Sequence, residues 1–337
     1  MSAIMDLTPY MREYARDFAD TGDINWLPYL MYFHPFSYSS SVVSTDASGF
    51  RYSEARGRRY SAADLGEMRS VRLLAGSSTV FGIGATADRH TLASRLTEND
   101  LRAEFWVNFG GRSFNSTQEL ILFALNRHRL PAVKEILLFS GFNDLGLARL
   151  PTRLRMEHGA FFMCREFFDA MAKKKPSCFA TWFRRDARED DDEDQLTTIA
   201  QITFASNLTL RRLDIWRALA SDLGAQLAFV LQPLANWVRT TGSPEEERLF
   251  ADLERGGAFS ETYGGILTTE AHHSYAKLLR MGAEGMGVRF VDFAPILGAV
   301  AAPDRWLFVD RIHFTDDGYD FISRLLLETL DTKRVAQ

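Results

Sequence analysis

Near the end of the sequence an aspartate stands three residues before a histidine, in Val309-Asp310-Arg311-Ile312-His313-Phe314. Far upstream a serine ends a short apolar run and its glycine turn, in Leu73-Leu74-Ala75-Gly76-Ser77-Ser78. A serine hydroxyl becomes a nucleophile when an imidazole takes its proton, and the imidazole does so best when a carboxylate fixes its tautomer. Ser78, His313 and Asp310 are therefore candidates for nucleophile, base and orienting acid in acyl transfer. Acyl transfer also needs donors for the oxyanion of its tetrahedral intermediate. The Asn143 carboxamide and the backbone N–H groups of Ser78 and Ser113 are the candidates. Two further residues are candidate substrate contacts, Arg112 for an anionic group and Gln232 after an apolar run. For each a plainer reading stands beside it: a surface arginine, and a residue that merely ends its strand. Ser78 alone would read as a helix cap, and Asp310 with His313 as an ordinary loop pair. The weight lies in their joint occurrence.

These side chains can meet only if the chain folds them to one edge. Five short apolar runs read as strands, at 71–75, 105–108, 135–140, 226–231 and 288–293. Between them, 115–129, 195–223 and 269–286 carry helical periodicity. Another helix begins just after His313. Apolar strands alternating with helices argue for a mostly parallel sheet covered on both faces. Parallel sheets bind ligands outside the carboxyl ends of their strands. Gly76-Ser77-Ser78, Asn108-Phe109-Gly110-Gly111-Arg112-Ser113, Gly141-Phe142-Asn143-Asp144 and the Asp310–His313 loop all fall at that edge.

These four segments, in this order, resemble the blocks of the SGNH (GDSL-type) hydrolases, a family of esterases, lipases and carbohydrate acetylesterases. The resemblance spans about residues 70–330. It implies Ser78 as nucleophile, Asn143 as side-chain oxyanion donor, and Asp310 with His313 completing the triad. With the strand pattern it implies an α/β fold, a flavodoxin-like three-layer α/β/α sandwich on a central, mostly parallel five-stranded sheet. It implies serine-dependent hydrolysis of O-acyl esters, acetyl on a carbohydrate or glycan precursor first among them, with no cofactor and no metal. An acyltransferase to a sugar hydroxyl, or a non-catalytic sugar-binding relative, are the alternatives. The sequence departs from the family pattern twice: Ser77 stands where aspartate is usual, and Ser113 where a glycine N–H normally helps form the oxyanion hole. A serine keeps the N–H but visits positive φ less readily, and against that pattern Gly110 and Gly111 stand as a fallback.

The rest of the 337-residue chain frames this core. Residues 1–69 read as an N-terminal extension. Its segment Trp26-Leu27-Pro28-Tyr29-Leu30-Met31-Tyr32-Phe33-His34-Pro35-Phe36 is too apolar for a free tail, and is expected to pack on the main domain or to join two copies of the chain. The extension is similar to that of bacterial members tied to surface-glycan biosynthesis. Insertions are expected at 147–194, which holds a lysine run at 173–175 and an acidic run at 188–194, and at 235–265. Within the second, Ser243-Pro244-Glu245-Glu246 is a capping box with proline at the first helical position. The acidic run lacks the ligand spacing of a cation loop. His272-His273 is expected as a surface pair, since adjacent helix positions point apart. Gly82-Ile83-Gly84 faintly resembles a phosphate loop but lacks the lysine. A net charge of −5 with no concentrated basic face argues against nucleic acid. Cys164 and Cys178 do not make a disulfide scaffold. No apolar stretch is long enough to span a bilayer and no secretory signal is visible, so the expectation is a cytoplasmic protein.

Overall fold

The computed structural model describes residues 3–18, 27–102, 104–162, 196–256 and 259–332. Strands β1 (Ser53–Ala55) and β2 (Arg58–Tyr60) form a small antiparallel hairpin. The main sheet holds β3 (Ser70–Gly76), β4 (Phe105–Gly110), β5 (Ala132–Ser140), β6 (Gln226–Leu231) and β7 (Arg289–Asp292). Its order is β4-β3-β5-β6-β7, and all four pairings are parallel. Around it lie α1 (Ala3–Leu7), α2 (Met11–Asp17), α3 (Ser78–Phe81), α4 (Leu92–Asn99), α5 (Ser116–Asn126), α6 (Phe142–Leu147), α7 (Thr198–Leu223), α8 (Pro244–Gly256), α9 (Thr269–Gly285), α10 (Phe293–Val300) and α11 (Asp316–Thr332). This is the three-layer α/β/α architecture with a flavodoxin-like strand order. It has its switch point between β3 and β5, where connections leave in opposite directions.

The alternation of side chains along each strand explains the layers. Leu73, Val107, Ile136 and Phe229 join one core with α5, α7 and α9, through Phe123, Trp216 and Leu279 among others. Their strand neighbours Leu74, Trp106, Leu137 and Ala228 join a second core with α4, α10 and α11, through Leu96, Leu297 and Leu326. Both faces are apolar because both are covered, as a parallel sheet requires.

The five expected strands all appear, and α5, α7 and α9 start within three residues of the expected helices. Four helices, α1, α4, α6 and α10, went unread. In α4 the start is signalled only by the Thr91 cap, which accepts from Ser94 N–H at 3.4 Å. In α10 the chain turns at Phe293, where the strand was expected to continue; Pro295 sits in the first helical turn, where its missing N–H goes unneeded. The capping box at Ser243 forms as read: Ser243 N–H donates to Glu246 at 3.0 Å and Glu246 N–H to Ser243 Oγ at 3.3 Å.

The N-terminal extension is woven into the body. Leu30, Phe33, Phe50 and Tyr60 are buried in the same core as Val71 and Val107, while Tyr29 and Phe36 stay exposed. Trp26, Cys164, Cys178 and the runs at 173–175 and 188–194 lie outside the described residues. Among the described residues no helix is long and apolar enough to cross a membrane.

Candidate active site

Ser78 is the first residue of α3, immediately past the turn that ends β3. At that position its backbone N–H has no intrahelical partner. The turn is tight because α3 lies against β4: a Cβ on Gly110 would collide with the Phe81 backbone. Asn108 ties the two elements further, its Oδ1 accepting from Gly110 N–H at 2.9 Å and its Nδ2 reaching Phe81 O at 3.4 Å.

Across 235 positions of sequence, Ser78 Oγ lies 2.7 Å from His313 Nε2. The other ring nitrogen, His313 Nδ1, lies 2.7 Å from Asp310 Oδ2. Asp310 Oδ1 accepts from the backbone N–H groups of Ile312 and His313, each at 2.7 Å. Burial works to raise the Asp310 pKa; the His313 charge and these hydrogen bonds outweigh it and hold the carboxyl below the ordinary carboxylate range. An ionised Asp310 can only accept, so Nδ1 carries the hydrogen and Nε2 is left to take the serine proton.

The loop holding Asp310 and His313 is braced by the region 235–265. Glu246, fully buried, accepts from Leu307 N–H at 2.8 Å and Phe308 N–H at 2.9 Å. Arg311 O accepts from Ala235 N–H at 3.0 Å, and the Arg311 guanidinium reaches Asn236 at 2.8 Å and Glu254 at 3.2 Å.

Asn143 follows β5, after Gly141, whose φ of +113° only glycine adopts freely. One hydrogen of Asn143 Nδ2 goes to Phe114 O at 2.7 Å. A carboxamide has two such hydrogens, and the second finds no acceptor among the described residues. Ser113 adopts φ +58°, a left-handed backbone that glycine takes more readily, and its carbonyl accepts from Tyr32 OH at 3.2 Å. The fallback donors are committed elsewhere: Gly110 N–H to Asn108, and Gly111 N–H to Gly76 O at 3.0 Å.

Sequence reading missed the supports from the N-terminal extension. His34 Nε2 accepts from Arg112 N–H at 3.0 Å, and its Nδ1 donates to Gly49 O at 3.0 Å. Its ring lies on Phe81, the last residue of α3, with centroids 3.9 Å apart. Burial pushes the His34 pKa down to about 3, so the ring is neutral and one nitrogen is free to accept. Arg51, fully buried, pairs with Asp88 at 2.9 Å and donates to Gly82 O at 2.8 Å. Tyr14 OH donates to Ala85 O at 2.7 Å. The Gly82 and Ala85 carbonyls are thus engaged by the extension; the N–H groups of Gly82 and Ile83 go to Ser78 O at 2.9 and 3.0 Å and that of Ala85 to Gly82 O at 3.1 Å, so this turn does not offer them to a phosphate. No local motif announces these contacts; the aromatic density of 26–36 was their only signal.

The structure also places Gln232 and corrects the expectation for His272. Gln232 is 1% exposed, which favours the plainer reading of a residue that ends its strand, and its Nε2 donates to Thr79 Oγ1 at 2.7 Å, beside Ser78. His272 is buried rather than on the surface, bonded to Asp292 at 2.9 Å and stacked on Trp237, because α9 turns that face onto β7; His273 is exposed. Arg112 is half-buried beside the Ser113 turn. Among the described residues no group of three or more His, Cys, Asp or Glu side chains is placed to hold a metal ion.

No protein-family model and no curated protein matches the chain. Its structural neighbours are GDSL-type lipases and acylhydrolases. One is a lipase/acylhydrolase from Enterococcus faecalis, 12% identical with a TM-score of 0.42, the match covering 79% of this chain and 97% of that one. A second is a lipolytic G-D-S-L protein from Veillonella parvula, 11% identical with a TM-score of 0.44, over 77% of this chain and 97% of that one. A third is an acetyl xylan esterase, 11% identical with a TM-score of 0.41, over 77% of this chain and 98% of that one.

Proposed function

We propose that this chain hydrolyses O-acyl esters through an acyl-enzyme on Ser78, with acetyl esters of a carbohydrate as the substrate class. The reading rests on one observation: an unbroken relay from Ser78 Oγ to His313 to Asp310, with 2.7 Å at each step. Ser78 Oγ attacks the ester carbonyl carbon as His313 Nε2 takes its proton. The carbonyl oxygen becomes an oxyanion, met by Ser78 N–H and the second Asn143 hydrogen, with Ser113 N–H as the third donor the family pattern implies. Collapse expels the alcohol, which receives the proton from His313. Water then repeats the sequence on the acyl-enzyme and releases the acid. Asp310 stabilises the transient imidazolium and stays ionised throughout.

The test compares wild type with Ser78→Ala on a chromogenic acetate and on an acetylated sugar, with and without a free sugar acceptor. The expected result is turnover in wild type that falls by about 10⁴-fold or more in the variant. Acceleration by the acceptor would reassign the chemistry to acyl transfer. Equal rates in both proteins would remove Ser78 from the mechanism.

A further inference from the structure

A cleft of about 360 Å³ is lined by Arg149, Thr198, Gln201, Thr262 and Tyr263, with Gly265 and Ile266 completing its wall. Topology puts it on the same rim as Ser78. Arg149 comes just after α6, the helix that carries Asn143. The helices α7 and α9 each run back to feed the next parallel strand, so their N-termini lie at the carboxyl edge of the sheet. Thr198 and Gln201 open α7, and Thr262 and Tyr263 precede α9. Asn143 and Arg149 are six residues apart, on the order of 9 Å along a helical path. The cleft therefore borders the helix that carries Asn143. The Tyr263 ring packs on Phe142, the neighbour of Asn143, with centroids 5.7 Å apart.

The chemistry of the cleft is that of an anion held on a polyhydroxyl body. The Arg149 guanidinium lies over the Tyr263 ring, 5.3 Å from its centroid, which fixes its plane and leaves its edge donors for a ligand. Its Nε is buried with no hydrogen-bond partner, and the guanidinium makes no ion pair among the described residues. The described lining contains no carboxylate to compete for the guanidinium. Hydroxyls of Thr198 and Thr262 and the Gln201 amide surround it, groups that pair with sugar hydroxyls. The N-terminus of the 26-residue α7 adds positive potential beside them.

We propose that this cleft is a specificity subsite for an anionic group, carboxylate or phosphate, on the alcohol portion of the ester. It rests on the acyl-ester reading for its purpose, but it is tested by binding alone. Calorimetry would compare methyl glucuronoside, glucose 6-phosphate and methyl glucoside on wild type, Arg149→Gln, Arg149→Lys and the cleft-filling Thr198→Trp. The expected result is that at least one anionic sugar binds wild type about tenfold or more tighter than the neutral one. That preference disappears in Arg149→Gln and in Thr198→Trp, and survives in part in Arg149→Lys. The anion preferred distinguishes an acidic sugar from a sugar phosphate. No anionic preference in wild type, no binding at all, or a preference unchanged in Arg149→Gln overturns the subsite. None of these outcomes touches the Ser78 chemistry, which stands or falls on the turnover of Ser78→Ala.

Discussion

At Ser113 a residue with a side chain holds a φ of +58°, a conformation that costs an L-residue roughly 1–2 kcal/mol. Tyr32 OH on its carbonyl and the His34 bond to its neighbour keep the turn in place. Replacing Ser113 by glycine relieves that strain but adds freedom to the unfolded chain worth about 0.4–1 kcal/mol. The expected net effect is a gain of about 0.5–1 kcal/mol in denaturant unfolding, with kcat retained. A loss of stability would mean that the hydroxyl itself supports the turn. Asn143 is the other decisive residue. In the proposed mechanism Asn143→Ala takes away an oxyanion donor, and kcat on an acetate ester should fall by about 10²–10³-fold, with KM changed far less. An unchanged kcat would show that the carboxamide serves only its bond to Phe114 O.

The elements that aim these residues come from distant stretches of chain. The segment around His34 presses on α3 and on the loop after β4 together, through the Phe81 ring and the Arg112 N–H. His34→Ala should leave a gap between them and let the loop shift. A displacement of about 1 Å at a reacting group costs up to about 10²-fold in rate, so kcat is expected to fall about ten- to a hundredfold. His34→Gln, which can offer an acceptor to Arg112 N–H, should recover part of the loss. Equal loss in both variants would point to packing rather than to the hydrogen bond. On the opposite side, α8 serves the catalytic loop through Glu246, which holds Leu307 and Phe308. A region that reads in sequence as an insertion thus acts as scaffold for Asp310 and His313.

Across the whole molecule, a buried polar cluster lies between the sheet and α7. Glu119 accepts from Ser140 Oγ at 2.7 Å, and Asp144 accepts from Thr209 Oγ1 at 2.9 Å. Burial raises both carboxyls, with the Ser140 bond opposing it at Glu119, which reaches about 8. The folded state therefore keeps a proton on Glu119 that the unfolded chain releases near its ordinary value of 4.5. Between those values the folded state binds more protons, so stability falls as pH rises through the window, by a few kcal/mol in all. Glu119→Gln removes that contribution. The melting temperature of the variant minus that of wild type should grow from pH 5 to pH 8; a constant difference would show that Glu119 is ionised in the fold.

Some of this protein is written locally. The Asp310–His313 pair needs only a spacing of three, the Ser243 cap only four residues, and the strands only runs of apolar side chains long enough to cross a covered sheet. These follow from short-range chemistry and can be read along the chain. The meeting of Ser78 with His313 rested on a pattern of blocks, and it took the parallel sheet to bring two side chains 235 positions apart within 2.7 Å. The aromatic density around His34 and the capping box at Glu246 marked those segments but not what they would hold, and the place of Arg149 and the burial of His272 left no mark in sequence. Each depends on which surfaces from separate segments come to face one another. Packing between layers decides that, and it has no period along the chain.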